Sequence, residues 1–156
     1  MKEKAPIPAV DSELLNKLFP YANYHAEWHL VTWHPSGLLD DAQADRVVEF
    51  LESQEKIGGA HFHRYTDMTG YTRIQIGLDH IVRLARRRKR RYLGAPVKSA
   101  FYAARLVSLN IAHMYQELME GGRIQVCTFA VRAAAASWLG VPIETLSPPK
   151  TRQASE

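Results

Sequence analysis

The chain has 156 residues, 46% hydrophobic and 23% charged, which fits one globular domain and excludes disorder over most of its length. No run reaches the ~18 apolar residues of a membrane span, and the charged N-terminus holds no signal-peptide apolar block, so a cytoplasmic protein is expected. Lys and Arg outnumber Asp and Glu by 20 to 16, but six of the twenty form one run, Arg86–Arg91, and without it 14 basic residues face 16 acidic ones.

Residues 1–20 read as a leader, in which Pro6 and Pro8 oppose regular structure and Asp11 caps a short helix through Leu14, Leu15 and Leu18. Aromatic and β-branched residues from Tyr24 to Thr32 predict a strand, which Pro35-Ser36-Gly37 stops. Asp40 with Gln43 reads as a capping box. Ala44, Val47, Val48 and Leu51 then recur at helical spacing, with Glu49, Glu52 and Glu55 on the wet side, until Gly58-Gly59.

A second strand is expected from about Ala60 to Thr66, and Asp67-Met68-Thr69-Gly70 turns the chain. Leu78, Ile81, Val82 and Ala85 form the stripe of a second helix that carries the basic run at its C-terminal end. A third strand spans Val97–Ala103, and Ser108 caps a third helix through Ala112, Tyr115 and Met119. A last strand, Ile124–Phe129, leads into a helix, Val131–Leu139, stopped by Gly140 and Pro142. A polar, disordered tail is expected over 147–156.

Strand and helix thus alternate four times, which requires crossover connections. The prediction is a single α/β domain over 21–146, with a four- or five-stranded, mostly parallel sheet and about four packed helices. Val47, Leu51, Ile81, Val82, Ala85, Tyr115, Trp138 and Leu139 should be buried against that sheet. Pro35-Ser36-Gly37 supplies one glycine where a dinucleotide fingerprint needs three, which argues against a nucleotide cofactor.

Four stretches in order resemble the SpoIIAA-like branch of the STAS (anti-sigma-factor antagonist) superfamily. They are Ser36-Gly37-Leu38-Leu39, Tyr65-Thr66-Asp67-Met68-Thr69-Gly70, Ala112-His113-Met114-Tyr115, and Val126-Cys127-Thr128-Phe129 through Ala136-Ser137-Trp138-Leu139-Gly140. Relatives commonly carry Arg where this chain has His113. The resemblance implies a SpoIIAA-like fold and a non-enzymatic regulatory module working through protein contacts, including a homodimer. It also implies an alternative, because such folds are similar to lipid-binding CRAL-TRIO domains: a carrier of an apolar ligand. In STAS switch proteins the phosphorylated hydroxyl lies where a strand turns toward a helix. That likeness implies Thr69, then Thr72, beside Asp67, whereas the residues alone favour a turn whose side chains satisfy backbone donors.

Other candidate chemistry is sparse. His61 and His63 share parity on a strand, as do His25 and His29, but without an assigned third ligand no metal site is predicted. Arg83, Arg86, Arg87 and Arg90 lie on one side of the second helix as an anionic-partner surface. Lipid or nucleic-acid phosphates are alternatives to a protein partner there, though Tyr92 alone makes no stacking platform. Ser108, His113 and Cys127 form no nucleophile arrangement, and no Gly-x-Ser-x-Gly elbow exists. The lone Cys127 also excludes a disulfide framework. No enzyme activity and no cofactor are expected.

Overall fold

A computed structural model of the protein describes residues 10–56 and 61–149. Predictions falling on residues 1–9, on Gly58-Gly59 and Ala60, and on the tail from 150 onward lie outside the described residues. The elements in order are α1 (Ser12–Leu18), β1 (Ala22–His25), β2 (Leu30–Trp33), β3 (Gly37–Asp40), α2 (Asp41–Glu55), β4 (His63–Asp67) and β5 (Tyr71–Gln75). They continue with α3 (Leu78–Arg91), β6 (Val97–Tyr102), α4 (Leu106–Leu118), β7 (Ile124–Phe129) and α5 (Arg132–Leu139). The main sheet has the order β1-β2-β4-β6-β7, with only β1 antiparallel to its neighbour. The fold is therefore mixed α/β with a five-stranded, mostly parallel sheet.

The expected first strand is two strands. A 3-10 turn at Ala26–Trp28 breaks it, and His29 takes the left-handed conformation at φ 47°. The chain then doubles back so that Tyr24 pairs with Val31. Neither Gly nor Asn marks this turn, and a non-glycine αL residue is uncommon enough to escape a sequence reading. A second addition is a small parallel ladder between β3 and β5, separate from the main sheet.

Capping follows the sequence closely. Asp11 accepts the Leu14 N–H and Asp40 accepts the Gln43 N–H at 2.9 Å. Gln43 closes no box, because its Oε1 accepts the Tyr71 hydroxyl at 2.8 Å and so ties α2 to β5. α4 starts earlier than predicted, at Leu106 with Arg105 as the flanking residue, and Ser108 is buried inside its first turn. Gly140 ends α5 at φ 75°, which an L side chain takes only with strain.

Alternation along the strands divides the sheet into two faces. Val31, Trp33, Arg64, Thr66, Ser99, Phe101 and Ile124 line the cavity described below on the side of α1 to α4. Leu30, Tyr65 and Ala100 pack on the other side with Ala135 and Ala136 of α5 and Leu146. α1 joins the core through Leu15 and Phe19, next to Ala22, Val31, Phe50 and Phe62. Of the residues expected inside, Ile81 and Ala85 are fully buried. Val47, Leu51, Tyr115, Trp138 and Leu139 are half-buried against core clusters, and Val82 is half-buried too.

Candidate functional site

The basic run of α3 is not one solvated surface. Ile81, Leu84, Ala85 and Arg88 are spaced i, i+3, i+4, i+7, so Arg88 continues the apolar stripe, and its side chain is 1% exposed. Its guanidinium grips Glu55 with two parallel bonds, Nη1 to Oε1 at 2.8 Å and Nη2 to Oε2 at 2.6 Å. Arg64 of β4, also buried, donates from Nη2 to the same Oε2 at 2.8 Å. Glu52 accepts Arg87 and Arg91. Glu52 and Glu55 thus face α3 instead of solvent, because four guanidinium groups converge on them. Glu49 alone of that trio stays exposed.

Arg88 Nη1 also lies 4.0 Å from Glu52 Oε2, so the two buried guanidinium groups face two carboxylates. Burial, and next the charge of Arg88, press the Arg64 pKa down against the pull of Glu55. Arg64 lies over the Phe62 ring at 4.6 Å and near the Tyr92 ring at 5.6 Å, so its faces are packed against π-systems. Its Nε is a buried donor with no acceptor among the described residues.

Arg64 and Arg88 also line a cavity of about 200 Å³ between the sheet and α2, α3 and α4. Most of the wall is apolar, with Val31, Val48, Leu51, Met68, Ile81 and Ala112 among its residues. Trp33 belongs to it as well, and its buried Nε1 donor likewise lacks an acceptor among the described residues. Sequence reasoning missed Arg64, Arg88 and Glu55. The one signal available was an arginine at the next position of an apolar stripe.

The residues implied by the switch resemblance lie elsewhere, at the carboxyl end of the sheet. Asp67 is fully buried, and its Oδ1 accepts the Thr69 N–H at 2.9 Å and the Thr69 hydroxyl at 2.6 Å. Its Oδ2 sits 3.7 Å from Arg132 Nη2 and 3.9 Å from His34 Nε2, which itself lies 3.0 Å from the Leu146 carbonyl. Thr69 is exposed, yet a phosphate on its hydroxyl would place about −1.5 to −2 charges against the buried Asp67 carboxylate, so the turn would have to open. Thr72 is exposed, with its hydroxyl 3.4 Å from the Gly37 carbonyl.

On α3 the anionic-partner candidates divide. Arg83, Arg86 and Arg90 are exposed, and Arg83 Nη2 lies 3.3 Å from His80 Nδ1. Arg87 is engaged by Glu52, and Lys89 donates to the Glu120 carbonyl at 2.8 Å. Among the described residues no three His, Cys, Asp or Glu side chains gather as a metal would need. His61 precedes β4 and is exposed, whereas His63 Nδ1 accepts the Lys98 backbone N–H at 3.0 Å. His25 Nε2 lies 2.9 Å from the Thr32 hydroxyl.

These histidines give a pH expectation. Burial first, then the charges of Lys98, Arg64 and His29, hold the His63 pKa below its ordinary value, and burial does the same for His25. The unfolded chain therefore takes up protons at higher pH than the folded one. Stability from these groups is complete above about 6.5 and is lost as pH falls toward the folded values. Urea midpoints should decline between pH 7.5 and 5.5, and His63→Gln should flatten that decline. A second loss should follow below about 4.3, the ordinary glutamate value. Burial alone would raise Glu52, but its bond to Arg87 and the charges of Arg87, Arg88 and Arg91 outweigh this and hold it low.

No family model matches the sequence, and no curated protein matches it. Among solved structures, an uncharacterized protein of the DUF3478 family with a SpoIIAA-like fold, from Shewanella loihica PV-4, is similar to this chain. Identity is 14%, the match covers 70% of this chain and 83% of that one, and the TM-score is 0.46. No helix among the described residues is long and apolar enough to cross a membrane.

Proposed function

We propose that this chain is a non-enzymatic binding module that holds a small, largely apolar ligand between its sheet and α2, α3 and α4. The observation that carries this reading is the cavity of about 200 Å³. An engineered cavity of about 150 Å³ lined by Leu, Ile and Phe binds benzene, so this volume suits one ring or a short chain. It is smaller than the ~300–1,000 Å³ of pockets for drug-sized ligands, which limits how much of a larger molecule it could bury. Of the two classes the resemblance implies, the carrier of an apolar ligand is the one an interior cavity favours.

Thermal unfolding with small neutral ring compounds tests this. A compound at ten times its Kd should stabilise by about 1.4 kcal/mol and raise the melting temperature by roughly 3–6 °C. Ala112→Leu, which fills the cavity from α4, should abolish the rise while leaving the protein folded. If toluene, indole and 2-phenylethanol all leave the melting temperature unmoved, the reading is wrong.

A second observation favours the contact-module reading. Leu106, Val107 and Val131 are 73%, 59% and 59% exposed where α4 and α5 begin, at the same end of the sheet as the Asp67 turn. Exposed apolar side chains gathered at one end fit a protein partner or a second copy of the chain. The two readings are compatible, since one uses the interior and the other the sheet's carboxyl rim.

A further inference from the structure

The parallel strands decide where their connecting helices end. β4, β6 and β7 lie side by side, and α2, α3 and α4 each return the chain to the start of the next strand. Their C-terminal ends therefore meet at the amino end of the sheet, opposite the Asp67 turn. Contacts between those ends agree with this. Glu52 of α2 accepts Arg91, Lys89 Nζ donates to the Glu120 carbonyl at 2.8 Å, and Arg123 Nη1 donates to the Gly94 carbonyl at 3.2 Å. Lys56, which ends α2, is exposed there together with Lys89, Arg90, Arg91 and Arg123. Glu117 and Glu120, at the end of α4, are the exposed acids beside these five cations.

Cations at helix C-termini offset the partial negative charge of the backbone, but that charge is only about half a unit per helix. Lys56, Lys89, Arg90 and Arg123 form no ion pair among the described residues, so most of the positive charge faces outward. An apolar loop stands beside it. Leu93 is 76% exposed, more than any other large apolar side chain among the described residues, and Ala95 and Pro96 are exposed with it. Tyr92 fastens this loop by donating its hydroxyl to the Ala95 carbonyl. Its ring is buried, so the loop offers no aromatic face on which a base would stack.

We propose that this end of the molecule docks on an anionic lipid bilayer, with the 93–96 loop entering the headgroup layer and the five cations against lipid phosphates. Clusters of basic residues on an amphipathic helix are drawn to anionic leaflets, and α3 is such a helix. Charge alone would serve any polyanion. The apolar loop selects a bilayer, which presents phosphates and, just beneath them, room for apolar side chains. Of the arginines expected on an anionic-partner surface, Arg90 takes part. Arg87 is held by Glu52, and Arg83 lies two turns earlier on α3. The proposal uses neither the cavity nor the carboxyl rim.

Co-sedimentation of the full chain with vesicles tests it, comparing phosphatidylcholine alone with phosphatidylcholine containing one-quarter phosphatidylglycerol. Binding to the anionic vesicles only, weakening as salt rises, is the expected result. Lys56→Gln combined with Arg90→Gln should lower the partition coefficient tenfold or more at about 0.15 M salt. Both side chains are exposed and make no bond among the described residues, so the fold is unaffected. Arg46→Gln combined with Arg83→Gln removes the same charge from the first halves of α2 and α3, about 10 Å or more away. That exceeds the ~8 Å screening length at this salt, so binding should change less than twofold. Leu93→Asn should weaken binding several-fold at every salt concentration, because burial of an apolar side chain is not screened. No binding to the anionic vesicles, equal losses from the two double variants, or indifference to Leu93→Asn would each overturn the proposal. Tighter binding to duplex DNA than to vesicles at the same salt would also overturn it, and would assign the cations to nucleic-acid phosphates.

Discussion

Replacing Glu55 by Gln should destabilise the protein by about 3–5 kcal/mol, the cost typical of removing one partner from a buried ion pair. Glu55 accepts three bonds, two from Arg88 and one from Arg64, and both guanidinium groups are out of water. A neutral amide leaves the two cations with the Glu52 carboxylate, 4.0 Å from Arg88 Nη1, as their one close counter-charge among the described residues. Urea denaturation at neutral pH reads the loss, and a change below about 1 kcal/mol would mean that water or a shift of α3 relieves the charge. The companion variant is informative. Changing Glu55, Arg64 and Arg88 together to Met should be neutral, or stabilising by up to about 4 kcal/mol, because a packed apolar set escapes the desolvation cost of all three ions. If the triple variant is as stable as the parent, stability alone does not explain the buried charges.

Much of the fold is legible in the sequence because it is written in local signals. β7 runs from Ile124 to Phe129 as its composition predicts, and Asp11, Asp40 and Gly140 mark helix ends by mechanisms that act within four residues. What the sequence conceals is decided at a distance. The β3–β5 ladder joins two short segments across 34 residues, and neither would be a strand without the other. The break between β1 and β2 depends on a histidine in a conformation that glycine usually takes.

The candidate site is concealed for a related reason. Periodicity assigns charged residues to the wet face, so Glu52 and Glu55 read as solvent-facing and Arg88 as one more member of a basic run. Arg88 occupies a core position only because Glu55, 33 residues earlier, is there to meet it. Arg64 is similar, a charged residue mid-strand on the face that α2 and α3 cover. Val47, Leu51 and Tyr115 are the correct residues for the core but are only half-buried, and all three border the cavity. A pattern of apolar residues reports that side chains point inward, not whether the space between them is filled.

That distinction yields an expected contrast between two truncations. Phe62→Ala should cost about 3–5 kcal/mol, and Leu51→Ala should fall near the lower end of the ~2–5 kcal/mol range for buried leucine. Phe62 is 0% exposed, packs in the cluster with Phe19, Phe50 and Val31, and supports the Arg64 guanidinium on its ring. Its removal deletes a whole buried ring and withdraws the surface against which a buried cation rests. Leu51 is half-buried and faces the cavity, so it has fewer neighbours to lose. Equilibrium unfolding of both variants measures the difference, and ligand binding gives it functional meaning. Leu51→Ala enlarges a wall of the pocket, so it should shift binding toward bulkier ring compounds. Should Leu51→Ala instead cost as much as Phe62→Ala, the space between α2 and the sheet is packed solid and the cavity is not a site.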